Sequence, residues 1–108
     1  MKKILALALA LVTLPAMAAG TQTGNIVDIY VRDSDGLLLV SLTGTASGHP
    51  SCATAAYWII PSETTDTGKT LYATLLAAKL SGHSVTIAGK NTCTRWFDGE
   101  DVEVVDVH

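Results

Sequence analysis

The chain has 108 residues and a mildly acidic composition, which already argues against some classes of partner. It carries seven Lys and Arg against ten Asp and Glu, for a formal net charge of −3, and 48% of its residues are hydrophobic. Nucleic acids and anionic lipid surfaces are bound through clustered Lys and Arg that displace counterions. We therefore expect neither as a partner, and the length is that of one domain.

The N-terminus has the pattern of a secretory signal peptide. Two lysines precede an apolar run over residues 4–14, and a small-residue A-x-A triplet ends at Ala18. The run is shorter than the roughly 20 residues that span a bilayer, so membrane insertion is not expected. We interpret residues 1–18 as a signal peptide and residues 19–108 as the mature domain, beginning at Ala19 and secreted or periplasmic.

The cysteine count predicts one disulfide bond. Cys52 and Cys93 are the two cysteines of the chain, and an exported protein with two cysteines most simply pairs them. His49, His83 and His108 do not combine with the two cysteines into the closely spaced ligand pairs of a typical metal site. The pattern therefore predicts neither a metal site nor another cofactor.

The first two predicted strands form a hairpin. Apolar residues favour strands over residues 25–31 and 37–42, and the Asp-Ser-Asp-Gly sequence at 33–36 between them is typical of a tight turn, since its glycine permits a positive φ. The same Asp-x-Asp-Gly pattern begins calcium-binding loops. The three leucines that follow it are not calcium ligands, so we favour the turn.

A third strand and a helix follow. Residues 57–60 are strongly β-prone and end at Pro61. Helix-capping residues at 64–66 and the glycine of Ser81-Gly82 predict the start and end of the helix. Its apolar residues cover most of its circumference, so we expect either deep burial or contact of its second face with another subunit.

The element order predicts a mainly β fold with one helix. Residues 85–88 and 102–107 read as the last two strands. The order strand, strand, strand, helix, strand, strand is that of an OB-fold, a five-stranded Greek-key barrel. We expect residues 19–108 to form such a domain.

No motif predicts an enzyme. The sequence Gly68-Lys69-Thr70 lacks the earlier glycine of a phosphate-binding loop, because Glu63 stands in its place. The scattered histidines do not form a recognisable nucleophile and base pair with a serine or cysteine. Glu100 and Asp101 are neighbours in a strand, so they point to opposite faces, and we expect a solvated acidic face there.

Aromatic side chains are the remaining candidates for ligand contact, because an aromatic ring can pack on the apolar face of a sugar. We assign Trp58 to the core, since it lies within a hydrophobic strand. Trp96 lies in a polar loop beside Arg95, and Tyr30 lies on the first strand. These three, Tyr30, Arg95 and Trp96, are candidate glycan-binding residues. The acidic surface would repel an acidic sugar unless Arg95, Lys90 or backbone amides offset its charge, so a neutral sugar is the alternative.

One segment carries a family resemblance. The run from Gly68-Lys69-Thr70-Leu71-Tyr72 to Ser81-Gly82-His83-Ser84-Val85-Thr86-Ile87, with the element order and the signal peptide, resembles the B subunits of subtilase-cytotoxin-like and pertussis-like toxins. The resemblance implies a homo-oligomer in a ring of five, a separate catalytic A subunit, and a glycan site at a hydroxyl residue before the first strand. Thr23 has that position here, where the family usually has a serine, and the cysteine placement differs from the cytotoxin subunit.

Two functions are therefore expected. The preferred one is an exported subunit that binds a cell-surface glycan within a toxin-like assembly. The alternative is an exported protein-binding or inhibitor module of the same fold without a sugar site.

Overall fold

The computed structural model describes residues 19–108, so the predicted signal peptide lies outside the described residues. These residues are mainly β with one helix, as predicted. Its elements are β1 (Thr21–Gly24), β2 (Ile26–Val31), β3 (Leu38–Leu42), β4 (Trp58–Ile59), α1 (Asp66–Ser81), β5 (Val85–Gly89) and β6 (Glu100–Val107).

The strands form one open six-stranded sheet in the order β1-β5-β6-β4-β3-β2. The pairs are antiparallel, except that β4 runs parallel to β6. The predicted first strand, over residues 25–31, corresponds to β2, which pairs with β3; the strand before it, β1, was not predicted and pairs with β5. The sheet therefore has six strands instead of five, and within residues 19–108 no strand ladder closes it into a barrel.

The predicted turn between β2 and β3 is confirmed. The amide of Gly36 donates to the carbonyl of Arg32 at 2.8 Å, and the amide of Arg32 donates to the carbonyl of Leu37 at 2.9 Å. Gly36 has a φ of 74°, which explains the glycine. A carboxylate oxygen of Asp35 accepts the amide of Leu37 at 3.1 Å and completes the turn.

Helix α1 begins and ends where the capping residues predict. The hydroxyl of Thr65 accepts the amide of Gly68 at 3.1 Å, and Gly82 adopts a left-handed φ of 72° after the last turn. The helix buries Leu75 and Ala78, but Leu80 is 78% exposed. Deep burial, one of the two expectations for this helix, is therefore wrong.

The hydrophobic core lies between α1 and the sheet. Trp58 is fully buried, as predicted, and its indole nitrogen donates to the side-chain oxygen of Gln22 at 2.8 Å. None of the described helices is long and apolar enough to cross a membrane. The buried residues that pack together are Ile26, Leu38, Val40, Leu42, Trp58, Ile60, Leu75, Ala78, Val85, Ile87 and Val102.

The predicted disulfide bond is confirmed. Cys52 and Cys93 are bonded, with their Cα atoms 6.2 Å apart. The bond joins the loop over residues 43–57, which connects β3 to β4, with the loop over residues 90–99, which connects β5 to β6. A disulfide is consistent with an oxidising compartment.

Removing this bond should destabilise the domain strongly. The bond spans a sequence separation of 41 residues, and closing a loop of that length restricts the unfolded chain by about 4 kcal/mol in the chain-entropy model. Urea unfolding of the Cys52→Ala/Cys93→Ala variant against wild type should show a loss of that order. Alkylation of both cysteines in native, unreduced protein would contradict the pairing.

Candidate functional site

Two adjacent carboxylates at the start of β6 organise the loops that carry the candidate sites. Glu100 and Asp101 are both fully buried, so the prediction of a solvated acidic face is wrong. A carboxylate can be buried where protein donors replace its water shell. Because neighbours in a strand point to opposite faces, the two carboxylates accept hydrogen bonds from different residues: Glu100 from Gly20, His49 and Asn91, and Asp101 from residues 92–95 of the loop that also holds Asn91.

Asp101 fixes the loop that carries the aromatic residues. One of its oxygens accepts the amide of Thr94 at 2.9 Å, the hydroxyl of Thr94 at 2.6 Å and the hydroxyl of Thr92 at 2.7 Å. Burial alone would raise the pKa of Asp101, but the hydrogen bonds from Thr94, Thr92 and the amide of Arg95 outweigh it and hold the pKa below its usual value. The carboxylate is thus a stable anchor near neutral pH.

Residues 92–98, here called the aromatic loop, are also fixed at Arg95. The Arg95 guanidinium donates to the carboxylate of Glu63 at 2.8 Å and to the backbone carbonyl of Asp35 at 3.0 Å. The ion pair lowers the pKa of Glu63 and raises that of Arg95. Arg95, predicted to contact a glycan, is therefore engaged in holding the loop.

Three side chains form what we call the aromatic surface: Arg32, Trp96 and Phe97. The rings of Trp96 and Phe97 have centroids 5.3 Å apart and planes inclined at 49°. The guanidinium carbon of Arg32 lies 4.5 Å from the Trp96 ring centroid and covers one face of it. Phe97 is 72% exposed. The aromatic face offered to a ligand is thus chiefly that of Phe97.

Arg32 is itself held in position. It makes two hydrogen bonds to the carboxylate of Asp35, at 2.8 and 2.6 Å. The bond to Asp35 raises the pKa of Arg32, opposed by desolvation, and Tyr30 adds a smaller electrostatic contribution. Sequence reasoning missed both Arg32 and Phe97, although Phe97 directly follows Trp96 in the same polar loop.

The four predicted glycan-binding residues fall into two places. Arg95 and Trp96 lie on the aromatic loop, and Tyr30, 47% exposed, lies on β2 one residue before its end, two residues before the Arg32 that covers Trp96. Thr23 lies on β1, where its hydroxyl shares a 2.7 Å hydrogen bond with that of Thr86. Within residues 19–108, no hydrogen bond or ring contact joins Thr23 to the other three.

A cleft of about 300 Å³ is lined mainly by residues of the loop over residues 43–57. Gln22 fixes this loop, since its side-chain amide donates to the carbonyls of Thr43 and Gly44 at 3.3 and 3.2 Å. The residues that line the cleft are Gln22, Leu42, Gly44, Thr45, Ala46, His49, Ala53, Thr54, Ala55 and Ala56.

His49 is the ionisable side chain in this lining. Its Nδ1 lies 2.7 Å from Glu100, which also accepts the amides of Gly20 at 3.1 Å and Asn91 at 3.0 Å. The imidazole ring packs on Trp58 with centroids 4.7 Å apart. Its Nε2 is buried and has no hydrogen-bond partner among the described residues.

The sequence offered no signal for this pairing, because His49 and Glu100 lie 51 residues apart. The two groups meet only because the loop before β4 folds against the start of β6, next to the parallel β4 and β6 pair. Gly89 leaves space for the carboxylate, since a Cβ at that position would lie 1.7 Å from a Glu100 oxygen.

Comparisons of the chain with protein-family models, with curated proteins and with solved structures gave no match. The toxin-subunit resemblance therefore stays a prediction from the residue pattern. Among residues 19–108, no group of three or more His, Cys, Asp or Glu side chains is placed to hold a metal ion. The candidate sites are thus the aromatic surface, the cleft and the hydroxyl pair at Thr23.

Replacing Asp101 should destabilise the domain in a pH-dependent way. Asp101→Asn replaces one carboxylate oxygen by an amide nitrogen, which cannot accept a hydrogen bond. The substitution should therefore lower the free energy of unfolding by about 2–3 kcal/mol at pH 7. The folded-state pKa of Asp101 is lowered, so its stabilising effect is present above the unfolded value of about 4 and disappears as the pH falls through the folded value. Urea unfolding at pH 7 and pH 3 should show the difference from wild type shrinking at the lower pH.

The matched control is Asp106→Asn, which changes an exposed carboxylate on the same strand. It should alter the free energy of unfolding by less than about 0.5 kcal/mol. Equal destabilisation by the two variants at pH 7 would contradict the anchoring role of Asp101.

Proposed function

We propose that residues 19–108 form an exported glycan-binding domain whose aromatic surface contacts the sugar. The observation that carries the proposal is the exposure of Phe97 on a loop fixed by Asp101, by the disulfide bond and by Arg95. A ring held in place loses little conformational entropy on binding. The apolar C–H face of a sugar ring is a suitable partner for it.

The charges around the aromatic surface favour a neutral sugar. Arg32 is paired with Asp35, and Arg95 is paired with Glu63, so the two cations beside Trp96 are compensated by carboxylates. The domain as a whole is acidic, which disfavours a sialic-acid carboxylate. We therefore propose a neutral terminal sugar in preference to a sialylated one.

We also propose an OB-like architecture, with β1 and β2 as two halves of one bent strand. Three features support it: only Asn25 separates the two strands, β4 pairs in parallel with β6, and α1 lies between β4 and β5. On this proposal the domain is the receptor-binding part of a toxin-like assembly. It is a binding protein and not an enzyme, and a separate catalytic subunit would be its partner.

The second candidate function is that of a protein-binding or inhibitor module. The same exposed Phe97 supports it, because a rigid apolar side chain on a disulfide-tethered loop can fill a pocket on a protein partner. Glycan binding and protein binding would then use the same surface. Direct binding to glycans separates the two.

A glycan array with purified residues 19–108 should show binding to neutral glycans. Phe97→Ala should reduce that binding at least about tenfold, because it removes the exposed ring. Since Phe97 is exposed, the substitution should not disturb the fold. Thr23→Ala should bind like wild type, since Thr23 lies apart from the aromatic surface.

The opposite pattern, with loss in Thr23→Ala and retention in Phe97→Ala, would move the site to β1. If the wild-type protein binds no glycan, the proposal is wrong and the protein-binding alternative takes its place.

We further propose that the domain self-associates, most simply into a ring of five. Support comes from α1, where Leu80 is 78% exposed and Ala73 and Ala77 are also exposed. An uncovered apolar helix face is typical of a subunit contact. Several weak glycan sites in one assembly would also gain affinity through avidity.

Light scattering at tens of micromolar should therefore give a mass several times that of one chain. Leu80→Gln should lower this mass by weakening the apolar contact, whereas Phe97→Ala should leave it unchanged. A monomeric wild-type protein under these conditions would contradict the ring.

A further inference from the structure

We propose that the α-amino group of Ala19, which cleavage of the predicted signal peptide creates, is the cationic partner of the buried carboxylate of Glu100, so that cleavage completes the folded domain. This inference goes beyond the proposed glycan-binding function and rests on the predicted cleavage after Ala18. It follows from the burial of Glu100, from the partners that residues 19–108 offer it, and from the way in which the first described residues are held.

Glu100 is a buried acid without a permanent cation among the described residues. Its two oxygens accept the amide of Gly20 at 3.2 and 3.1 Å, and one of them accepts the amide of Asn91 at 3.0 Å. Amides donate and do not accept, so these contacts suit an ionised carboxylate. Within residues 19–108 its ion-pair partner is His49, and an imidazole is charged only when it is protonated. A buried charge without an opposite charge destabilises the fold.

Residues 19–21 are held in place by the loop over residues 43–57. Thr21 and Ser47 exchange two backbone hydrogen bonds, at 2.8 and 2.9 Å. The carbonyl of Ala19 lies against Gly48, where a Cβ would come within 3.1 Å of it. The backbone that carries the new α-amino group is therefore fixed from its first residue.

The backbone at Gly20 places the α-amino group of Ala19 near the carboxylate of Glu100. The amide of Gly89 donates to the carbonyl of Gly20 at 2.9 Å, and a Cβ at Gly20 would overlap a Glu100 oxygen. Three covalent bonds separate the nitrogens of Ala19 and Gly20, so the α-amino nitrogen lies no more than about 7 Å from the carboxylate. At that distance opposite charges attract through a partly buried environment with little screening by salt.

The nearby charged side chains are engaged elsewhere. Asp101 points to the opposite face of β6, where it accepts the amide of Thr94. Lys90 lies 3.6 Å from Glu103 and pairs with it. The α-ammonium group is thus the cation that maturation adds beside Glu100.

The charge appears only on cleavage. In the uncleaved chain the nitrogen of Ala19 belongs to a neutral peptide bond. Hydrolysis of the bond between Ala18 and Ala19 consumes one water molecule, leaves a carboxylate on Ala18 and leaves an amine on Ala19. That amine takes up a proton at neutral pH, because an α-amino group has a pKa of about 8.

The test compares two forms of residues 19–108 that differ only in the charge at Ala19: one has a free α-amino group and the other has that group acetylated. At pH 6 the free form should unfold at a temperature at least about 4 °C higher. An anionic partner raises the pKa of an amine in the folded state. The stabilisation is therefore complete well below pH 8 and is lost as the pH rises through the raised value. The difference between the two forms should shrink towards zero from pH 8 to pH 10.

Glu100→Gln tests the partner, because it keeps the shape of the side chain and removes its charge. In this variant, acetylation should change the unfolding temperature by less than about 1 °C at pH 6. The matched control is Glu103→Gln, which removes an exposed carboxylate of the same strand and should keep the full difference. NMR titration of the α-amino group in the wild-type domain gives a second readout that does not depend on the folding of a variant, and its pKa should lie above about 8.

Equal unfolding temperatures of the free and acetylated forms at pH 6 would overturn the inference, as would an α-amino pKa at or below about 8. A secreted protein whose intact mass shows a first residue other than Ala19 would also overturn it. Neither unfolding nor titration involves a sugar, so the inference stands or falls independently of the glycan array.

Discussion

A carboxylate can be buried at tolerable cost only where several donors converge on it, and β6 begins with two such groups side by side. Glu100 forms hydrogen bonds with the amides of Gly20 and Asn91 and with Nδ1 of His49. Asp101 accepts hydrogen bonds from the threonines of the aromatic loop. Because the strand sends the two side chains to opposite faces, one carboxylate positions the cleft and the other positions the aromatic surface. The two candidate sites therefore depend on one dipeptide.

The two loops are also linked to each other, which limits their independent motion. The bond between Cys52 and Cys93 and the hydrogen bond from Ala55 to Asp98 join the loop over residues 43–57 to the aromatic loop. A domain of this size has a small core, so loops far from it need covalent and polar connections to stay ordered. For a binding protein this order has a functional benefit, because less entropy is lost when a ligand is bound.

The sequence predicted what is determined locally. Capping at Thr65 and Gly82 predicted the ends of α1, and the Asp-Gly pair predicted the turn before Leu37. Strand β1 was not predicted, because it depends on pairing with the distant strand β5, and no local pattern contains that information. The same holds for the candidate sites. Trp96 could be predicted as a ligand-binding candidate because the loop around it is polar. The contact of Glu100 with His49 could not be predicted, because the two residues lie 51 positions apart in the sequence.

The most direct test of the central claim, that each buried carboxylate orders the residues that donate to it, is amide hydrogen exchange of Glu100→Gln against wild type. Exchange reports local opening residue by residue. Protection should fall at Gly20 and Asn91, whose amides donate to Glu100, and should be retained at Thr94, whose amide donates to Asp101. Unchanged protection at Gly20 and Asn91, or equal loss at Thr94, would contradict the account.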